Sequence, residues 1–420
     1  MNYQFPIIKH LDDVRPAIEG RDEFIIAERD WGFVVNYMVS MNDTFPLVSD
    51  DDYWCPGCKL PMSETEGCGS QRCPDAVNLA AIRRECRGLL FNKDGSIMAR
   101  RLHKFFNVNE RDETQFSVID FTQPHVILEK LDGSMITPVV TDAGIRWGTK
   151  MGITDVSMGA ELFVAKHPHY AEFADLHIDR GQTLIFEWCS RKQRIVIDYP
   201  DDRLVLIAIR DNRTGKYKSY EQMRTYAEAY GIDIVKTYEG TASNMAHLMD
   251  ETKAAEGLEG YIIRFDDGHM LKIKGEWYLR IHKTKDNLTH EKNVIDLLVN
   301  EKMDDVKAFM MDEDRKRVEE FEVVFWDGVA RQVEAYDKYF GMIQAAGLDR
   351  KRFALEWMPT IKEQDPHAST IVFGLFDDKD TRTMVVDIIR KNCGTQTKID
   401  SVRSLWGGNA RWNYHFNGDV

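Results

Sequence analysis

The sequence predicts an α+β fold: an antiparallel-sheet domain, an all-helical domain after it, and a small cysteine-rich insertion within the first. Three observations carry this expectation. From residue 86 to about 282, short runs rich in β-branched and aromatic residues are closed by Asp-Gly or Gly turns. Beyond about residue 285, apolar residues recur at helical spacing with almost no turn signals. Four of the seven cysteines fall in one segment that also holds Pro, Gly and acidic residues. The domains are therefore expected at 1–285 and 286–420, with the insertion at 46–79 inside the first.

The elements follow in order. Residues 1–45 read as mixed, with a strand in "WGFVVNYMVS". Strands are then expected in "RGLLF", "VILEK", "MITPVV", "IRWGTK", "TLIFEWC", "RIVIDY", "RLVLIAIR", "GYIIRF" and "HMLKIK". One helix is expected over 157–176. A second, "SYEQMRTYAEAY", opens on a capping box of Ser219 with Gln222. The long stretch from "NVIDLLV" to "GMIQAAG" carries the helical domain. The tail "SVRSLWGGNARWNYHFNGDV" mixes Arg403 and Arg411 with aromatic residues, and reads as packing on a neighbour in preference to stacking on bases.

The bulk numbers narrow the class. Hydrophobic residues make up 43% and charged residues 30%, as in a soluble globular protein. No apolar core follows a basic start at the N-terminus, and no run of 18 apolar residues exists, so neither a signal peptide nor a membrane span is expected. A cytoplasmic location is the expectation. The net charge of −14 argues against binding nucleic acid over the whole surface. The charge is uneven, however. Arg83, Arg84, Arg87, Lys93, Arg100, Arg101 and Lys104 crowd one stretch against only Glu85 and Asp94. A basic cleft in an acidic body suits a phosphate-rich substrate; ordinary surface charge is the competing reading.

The segment "VILEKLDGSMITPVV" (126–140) carries the first chemical signal. Two apolar strands flank a turn at Gly133, and Lys130 stands at the edge of the first. A structural lysine belongs on a solvated face. A lysine used as a nucleophile needs such a place, because burial and cationic neighbours favour the neutral amine. Lys272 and Lys274 alternate along "HMLKIK" and so share one strand face. Two such lysines repel each other unless an anion lies between them, and a triphosphate is such an anion; the competing reading is a solvated edge strand. Glu187 closes the apolar run "TLIF" and Glu259 opens "GYIIRF"; carboxylates beside buried strands need partners, of which salt bridges are the plainest.

Lys130-Leu131-Asp132-Gly133 matches the K-x-D-G signature of the covalent nucleotidyltransferases, and the ordered set around it is far more specific. "ECRG" (85–88) lies upstream; "LIFEW" (184–188), "LEGYIIR" (258–264) and "LKIKGEWY" (271–278) follow. Together with "HKFFNVNE" (103–110), "RIVIDY" (194–199) and the helical "DDVKAF" (304–309), this order resembles the phage-type RNA ligase 1 family over nearly the whole chain.

The resemblance implies a nucleotidyltransferase fold and an ATP-dependent RNA ligase joining 5′-phosphate and 3′-hydroxyl ends, with broken tRNA as the RNA. It implies Lys130 as the nucleophile that carries AMP. Tyr37, Arg87, Lys104, Phe106, Glu187, Lys272 and Lys274 match positions that bind ATP, Phe106 as an aromatic beside the adenine; core packing is the alternative for Phe106. Lys150 and Tyr278 match supporting positions. Glu259, Asp304 and Asp305 match positions linked to Mg²⁺, with Mn²⁺ as a substitute; a charged pair on a helix is otherwise a solvated feature. A phage or bacterial source is implied in the same way, with a host cytoplasm as the location if the protein is phage-encoded.

The cysteines depart from that family pattern. Cys55, Cys58, Cys68 and Cys73 are spaced C-x2-C, nine residues, C-x4-C. "CPGC" is a turn that brings two thiolates to one metal, and four thiolates suit a tetrahedral structural Zn²⁺; free or redox-active cysteines are the alternative. Two rival functions remain. A DNA ligase or capping enzyme carries a strand-rich domain after its last lysine motif, which the helical pattern opposes. A zinc-containing RNA-binding protein with an inactive nucleotidyltransferase domain is the other.

Overall fold

The computed structural model describes residues 4–41, 43–48, 53–55, 60–61, 77–238, 245–307, 310, 312–408 and 410–413. The chain divides into two compact units between Leu279 and Arg280.

The first unit is built on antiparallel sheets. A five-stranded sheet runs, in spatial order, Thr237–Tyr238, His125–Lys130, Gly260–Phe265, Met270–Lys274 and Phe106–Asn107; only the last pairing is parallel. A four-stranded sheet runs Gly144–Gly148, Ser134–Thr141, Gln182–Cys189 and Arg203–Asp211. A second four-stranded sheet holds Phe24–Arg29, Gly32–Tyr37, Arg87–Asn92 and Ile97–Ala99. The chain passes from the first sheet to the second through the Asp132-Gly133 turn, so the K-x-D-G segment joins two sheets. Trp147, Phe173, Phe186 and Trp188 form the core behind the second sheet, and Phe45, Phe91 and Phe106 the core behind the third.

Two expected elements differ from the fold. The segment "RIVIDY" is no strand. The amides of Val196 and Ile197 both donate to Asp132 Oδ2 at 2.7 Å, and are not available to a ladder. The helix expected over 157–176 is two helices, Asp155–Lys166 and His169–Asp179, parted at Pro168. Proline lacks the N–H a continuing helix needs and disfavours helical geometry at the residue before it; His167 sits at φ −130°, ψ 71°. The helix Tyr220–Tyr230 begins as expected, with Ser219 Oγ accepting from Gln222 N at 3.2 Å and Gln222 Oε1 from Ser219 N at 3.1 Å.

In the 46–79 segment, the described residues Tyr53–Cys55, Leu60–Pro61 and Val77–Asn78 form a small sheet. Asn78 then caps the helix Leu79–Glu85, accepting from Ala81 N at 2.9 Å. Cys58, Cys68 and Cys73 lie outside the described residues.

The second unit is helical, and among the described residues no strand follows Lys274. This is the opposite of the strand-rich domain a DNA ligase or capping enzyme carries there. Its longest helix, Asp312–Ala345, packs Val318, Phe325 and Val329 against Ile371, Ile389 and Trp406. Gly328 allows that approach, because a Cβ there would strike the Trp406 carbonyl. No helix among the described residues is long and apolar enough to cross a membrane.

Candidate active site

Strand register assembles the centre of the site. Gly260 pairs with Lys130 on one side and with Lys274 on the other, so the three residues form a row across the five-stranded sheet. Gly260 has φ +146°, and any side chain there would strike the Ile273 carbonyl. Glu259, beside it, is 2% exposed. Its Oε1 takes Lys130 Nζ at 2.6 Å and Lys274 Nζ at 3.0 Å. One buried carboxylate therefore holds the two ammonium groups together.

Asp132 fixes the turn after Lys130. It is 3% exposed and fully used: Oδ2 accepts from Val196 and Ile197, Oδ1 from the Tyr278 hydroxyl at 2.7 Å, and its own N–H donates to Tyr199 at 2.9 Å. A carboxylate with three donors is a strong anchor in a low-dielectric place. Gly133 follows because a Cβ there would meet the Trp188 carbonyl and Glu187.

These elements border a cleft of about 500 Å³. Lys130, Lys272 and Lys274 line it from the five-stranded sheet, Glu187 from the second sheet, and Tyr37 and Arg87 from the third. Lys104 and Lys150 complete the cationic wall. Lys104 Nζ lies 5.2, 5.1 and 5.4 Å from the ring centres of Tyr37, Phe45 and Phe106, and Lys150 Nζ 5.3 Å from Tyr37. Aromatic faces thus hold these cations without neutralising them. Lys272 Nζ is 5.2 Å from the Phe105 ring.

The electrostatics follow from this crowding. Burial, then Arg87, Lys104, Lys130 and Lys274, push Lys272 down to about 7. Burial, together with Glu259 and Asp132, pushes Glu187 up to about 7, against the pull of Lys130 and Arg87. The Tyr37 phenol is lowered: burial would raise it, but Arg87, Lys104 and Lys150 together outweigh burial. Among the described residues, seven Lys or Arg line the cleft against two carboxyls, Glu129 and Glu187.

The expected residues thus largely converge. Tyr37, Arg87, Lys104, Lys130, Lys150, Glu187, Lys272 and Lys274 all line the cleft. Glu259 and Tyr278 stand directly behind it, through their bonds to Lys130 and Asp132. Phe106 is placed behind the cleft wall, with its ring 5.4 Å from the cleft residue Lys104. It is 2% exposed in the core of the third sheet, under Arg111 at 4.2 Å, and its neighbour Phe105 takes the cleft-facing position. Asp304 and Asp305 belong to the helix Met303–Lys307 of the second unit; Asp304 is 91% exposed and pairs with Lys307 at 3.3 Å. Among the described residues no group of three or more His, Cys, Asp or Glu is arranged to hold a metal. Asp132 and Arg264 were not assigned from sequence. Arg264 alternates with Gly260 and Ile262, which is a readable sign that it shares their face.

Comparison with known proteins agrees with this geometry. A family model described as RNA ligase matches residues 85–278, and one described as the C-terminal domain of T4 RNA ligase 1 matches 285–398. A protein of Thermovibrio ammonificans named "Putative RNA ligase" is 30% identical over 237 residues, covering 54% of this chain and 61% of that one. RNA ligase 1 of bacteriophage TS2126 is 24% identical over 216 residues, covering 50% of this chain and 54% of that one. The match thus spans between about half and three fifths of those relatives' length. Among solved structures, an archaeal ATP-dependent RNA ligase covers 66% of this chain and 68% of its own at 12% identity and a TM-score of 0.39, a likeness too remote to argue from. The two family models lie end to end and together span most of the chain, one over the cleft-bearing unit and one over the helical unit: the chain belongs to the T4 RNA ligase 1 family.

Proposed function

We propose that the protein is an ATP-dependent RNA ligase that carries AMP on Lys130. The observation that carries this reading is the Lys130–Glu259–Lys274 arrangement at a cleft that Arg87, Lys104, Lys150 and Lys272 also line. In the first step the Lys130 amine attacks the α-phosphorus of ATP. An N–P bond forms, the bond to the β-phosphate oxygen breaks, and pyrophosphate leaves; Glu259, 2.6 Å from Nζ, is placed to take the proton. In the second step the terminal oxygen of an RNA 5′-phosphate displaces the lysine and leaves a 5′–5′ pyrophosphate. In the third, a 3′-hydroxyl attacks the RNA phosphate and AMP is expelled. Each is a displacement at phosphorus, where positioning and charge neutralisation supply most of the catalysis. Lys272, Lys104, Arg87 and Lys150 are suited to holding the triphosphate.

A divalent cation, Mg²⁺ or Mn²⁺, fits the donor set. Glu187 faces the cleft with its charge half-suppressed at about 7, and a hard cation would restore it. When bound, the ion neutralises charge on the phosphate oxygens. Asp304 and Asp305 remain candidates through the resemblance alone. The helical unit is proposed to recognise the RNA, and the RNA to be a tRNA cleaved in a loop, as the family resemblance suggests. A structural Zn²⁺ on Cys55, Cys58, Cys68 and Cys73 is proposed from their spacing. Metal analysis should find zinc, and Cys55→Ser with Cys58→Ser should remove it; unchanged zinc would reject these ligands.

Incubation with α-labelled ATP and Mg²⁺ tests the central reading. A label on the wild type that is absent from Lys130→Ala, followed by sealing of nicked or broken RNA, is the expected result. No label on folded wild type with ATP, GTP or NAD would sink it and favour an RNA-binding protein with an inactive cleft. Sealing of DNA in preference to RNA would reassign the substrate.

A further inference from the structure

The cleft face of the five-stranded sheet is graded along its strands. Gly260, Ile262 and Arg264 alternate on one strand and so share a face. Gly260 stands between Lys130 and Lys274, Ile262 between Leu128 and Lys272, and Arg264 between Val126 and Met270. Four residues separate the first row from the third, roughly 13 Å along an extended strand. The charged end of the cleft therefore passes into an apolar end lined by Leu128, Ile207, Val235, Ile262 and Met270.

Arg264 is the charged group at that apolar end, and it is 4% exposed. Its Nη1 donates to the thioether of Met223 at 3.5 Å, a weak acceptor. Among the described residues its buried Nη2 has no acceptor at all. Burial alone brings its pKa down to about 10. A buried guanidinium left short of acceptors costs stability, and Tyr217, Asp266 and Tyr220 offset that burial only in part. An unspent donor in a cleft wall points to an acceptor on a ligand.

We propose that Arg264 reads the nucleobase of ATP, with Nη2–H donating to ring nitrogen N1 of adenine. This rests on the ligase reading above. If the phosphates lie among the lysines, the ribose end of the base points toward them. The edge farthest from the ribose, which carries N1, then arrives at the third row. The apolar side chains around it suit the flat faces of a base. Adenine N1 is an acceptor, whereas N1 of guanine bears a hydrogen and would set two donors face to face. Arg264 is thus a specificity-determining residue: a site built to donate here rejects a base that cannot accept.

The test is equilibrium binding of α,β-methylene-ATP, whose bridging carbon blocks AMP transfer, and of its 1-deaza counterpart, in which N1 is a C–H. Wild type should bind the 1-deaza compound on the order of 10- to 100-fold more weakly, the range for a hydrogen bond from a charged donor. Arg264→Met should bind the two compounds alike. Without nucleotide that variant should also melt no lower than wild type, because it removes an uncompensated buried cation; a merely structural arginine would lower the melting temperature. Arg264→Lys, read in the same way, guards against misfolding of the methionine variant. Equal binding of the two compounds by wild type overturns the assignment. So does an Arg264→Met protein that weakens both compounds equally and still discriminates as wild type does, as a phosphate contact would. If wild type takes label from ATP on Lys130 yet fails this test, the base contact falls and the ligase reading stands. If no nucleotide labels it, both fall.

Discussion

Tyr278 donates its hydroxyl to Asp132 at 2.7 Å and thereby braces the turn that follows Lys130. Burial, with Glu259 and Asp132 nearby, raises the Tyr278 pKa, so the hydroxyl stays a donor throughout the working range. Its ring also lies 5.2 Å from Lys274 Nζ. One side chain therefore touches both the K-x-D-G turn and the second lysine. Tyr278→Phe keeps the ring and leaves one Asp132 oxygen short of a donor in a buried place. The expected cost is about 1–3 kcal/mol, seen as a melting temperature lower by a few degrees, together with slower labelling of Lys130. Wild-type melting and labelling in this variant would show that Val196, Ile197 and Tyr199 hold Asp132 without help.

Glu259→Gln keeps the size of the side chain and removes its charge. Lys130 and Lys274, now joined through one carboxylate oxygen, would then face each other with no anion between them. Single-turnover labelling of Lys130 by ATP should fall by about 10²-fold or more, the usual contribution of a positioned proton acceptor. Affinity for α,β-methylene-ATP should change far less, because the triphosphate itself is an anion for the two lysines. Equal losses in rate and in affinity would instead mark Glu259 as a binding group.

How much of this was legible in the sequence depended on the range of the interactions involved. The strands carrying Lys130, Lys272, Lys274 and Glu187 announce themselves by local pattern, and alternation alone puts Lys272 and Lys274 on one face. The capping box at Ser219 is equally local. "RIVIDY" has the composition of a strand, but its amides are claimed by Asp132 about 64 residues earlier, and no local rule reveals that. Phe105, just before a two-residue strand, lines the cleft while Phe106, its first residue, is packed in the core, and composition cannot tell the two apart. Arg264 was readable in part: its parity with Gly260 places it on the cleft face. Only its contact with Met223 and the lack, among the described residues, of an acceptor for buried Nη2 show that it is under-satisfied.

Lys272 should make nucleotide binding pH-dependent. Its folded pKa, held down to about 7, lies below the 10.5 of a free lysine. The folded protein thus favours the neutral amine: the stability this gives is complete above pH 10.5 and is lost as the pH falls toward 7. A bound triphosphate favours the charged form and reverses that preference. Binding of α,β-methylene-ATP at pH 8 should therefore take up a proton, close to one per site. Calorimetry in two buffers of different ionisation enthalpy measures it directly. The uptake should shrink at pH 6, where the amine is already charged, and vanish in Lys272→Met. Uptake that persists in the variant would assign the proton to another group.

Glu187 should respond with the opposite sign. Its folded pKa, pushed up to about 7, lies above the 4.5 of a free glutamate, because burial and the nearby Glu259 and Asp132 disfavour its charge. The protonated form is bound more tightly by the folded state. The stability that follows is complete below pH 4.5 and is lost as the pH rises through 7. Glu187→Gln has no such loss. Without divalent metal it should match wild type near pH 4.5 and exceed it above pH 7, by at most roughly 3 kcal/mol. Mg²⁺ or Mn²⁺ at pH 8 should then raise the melting temperature of wild type and leave that of the variant unchanged, while the variant labels Lys130 poorly. Paired melting curves across pH, with and without metal, separate the two effects. Parallel curves for the two proteins would mean that Glu187 is already charged and partnered in the metal-free cleft.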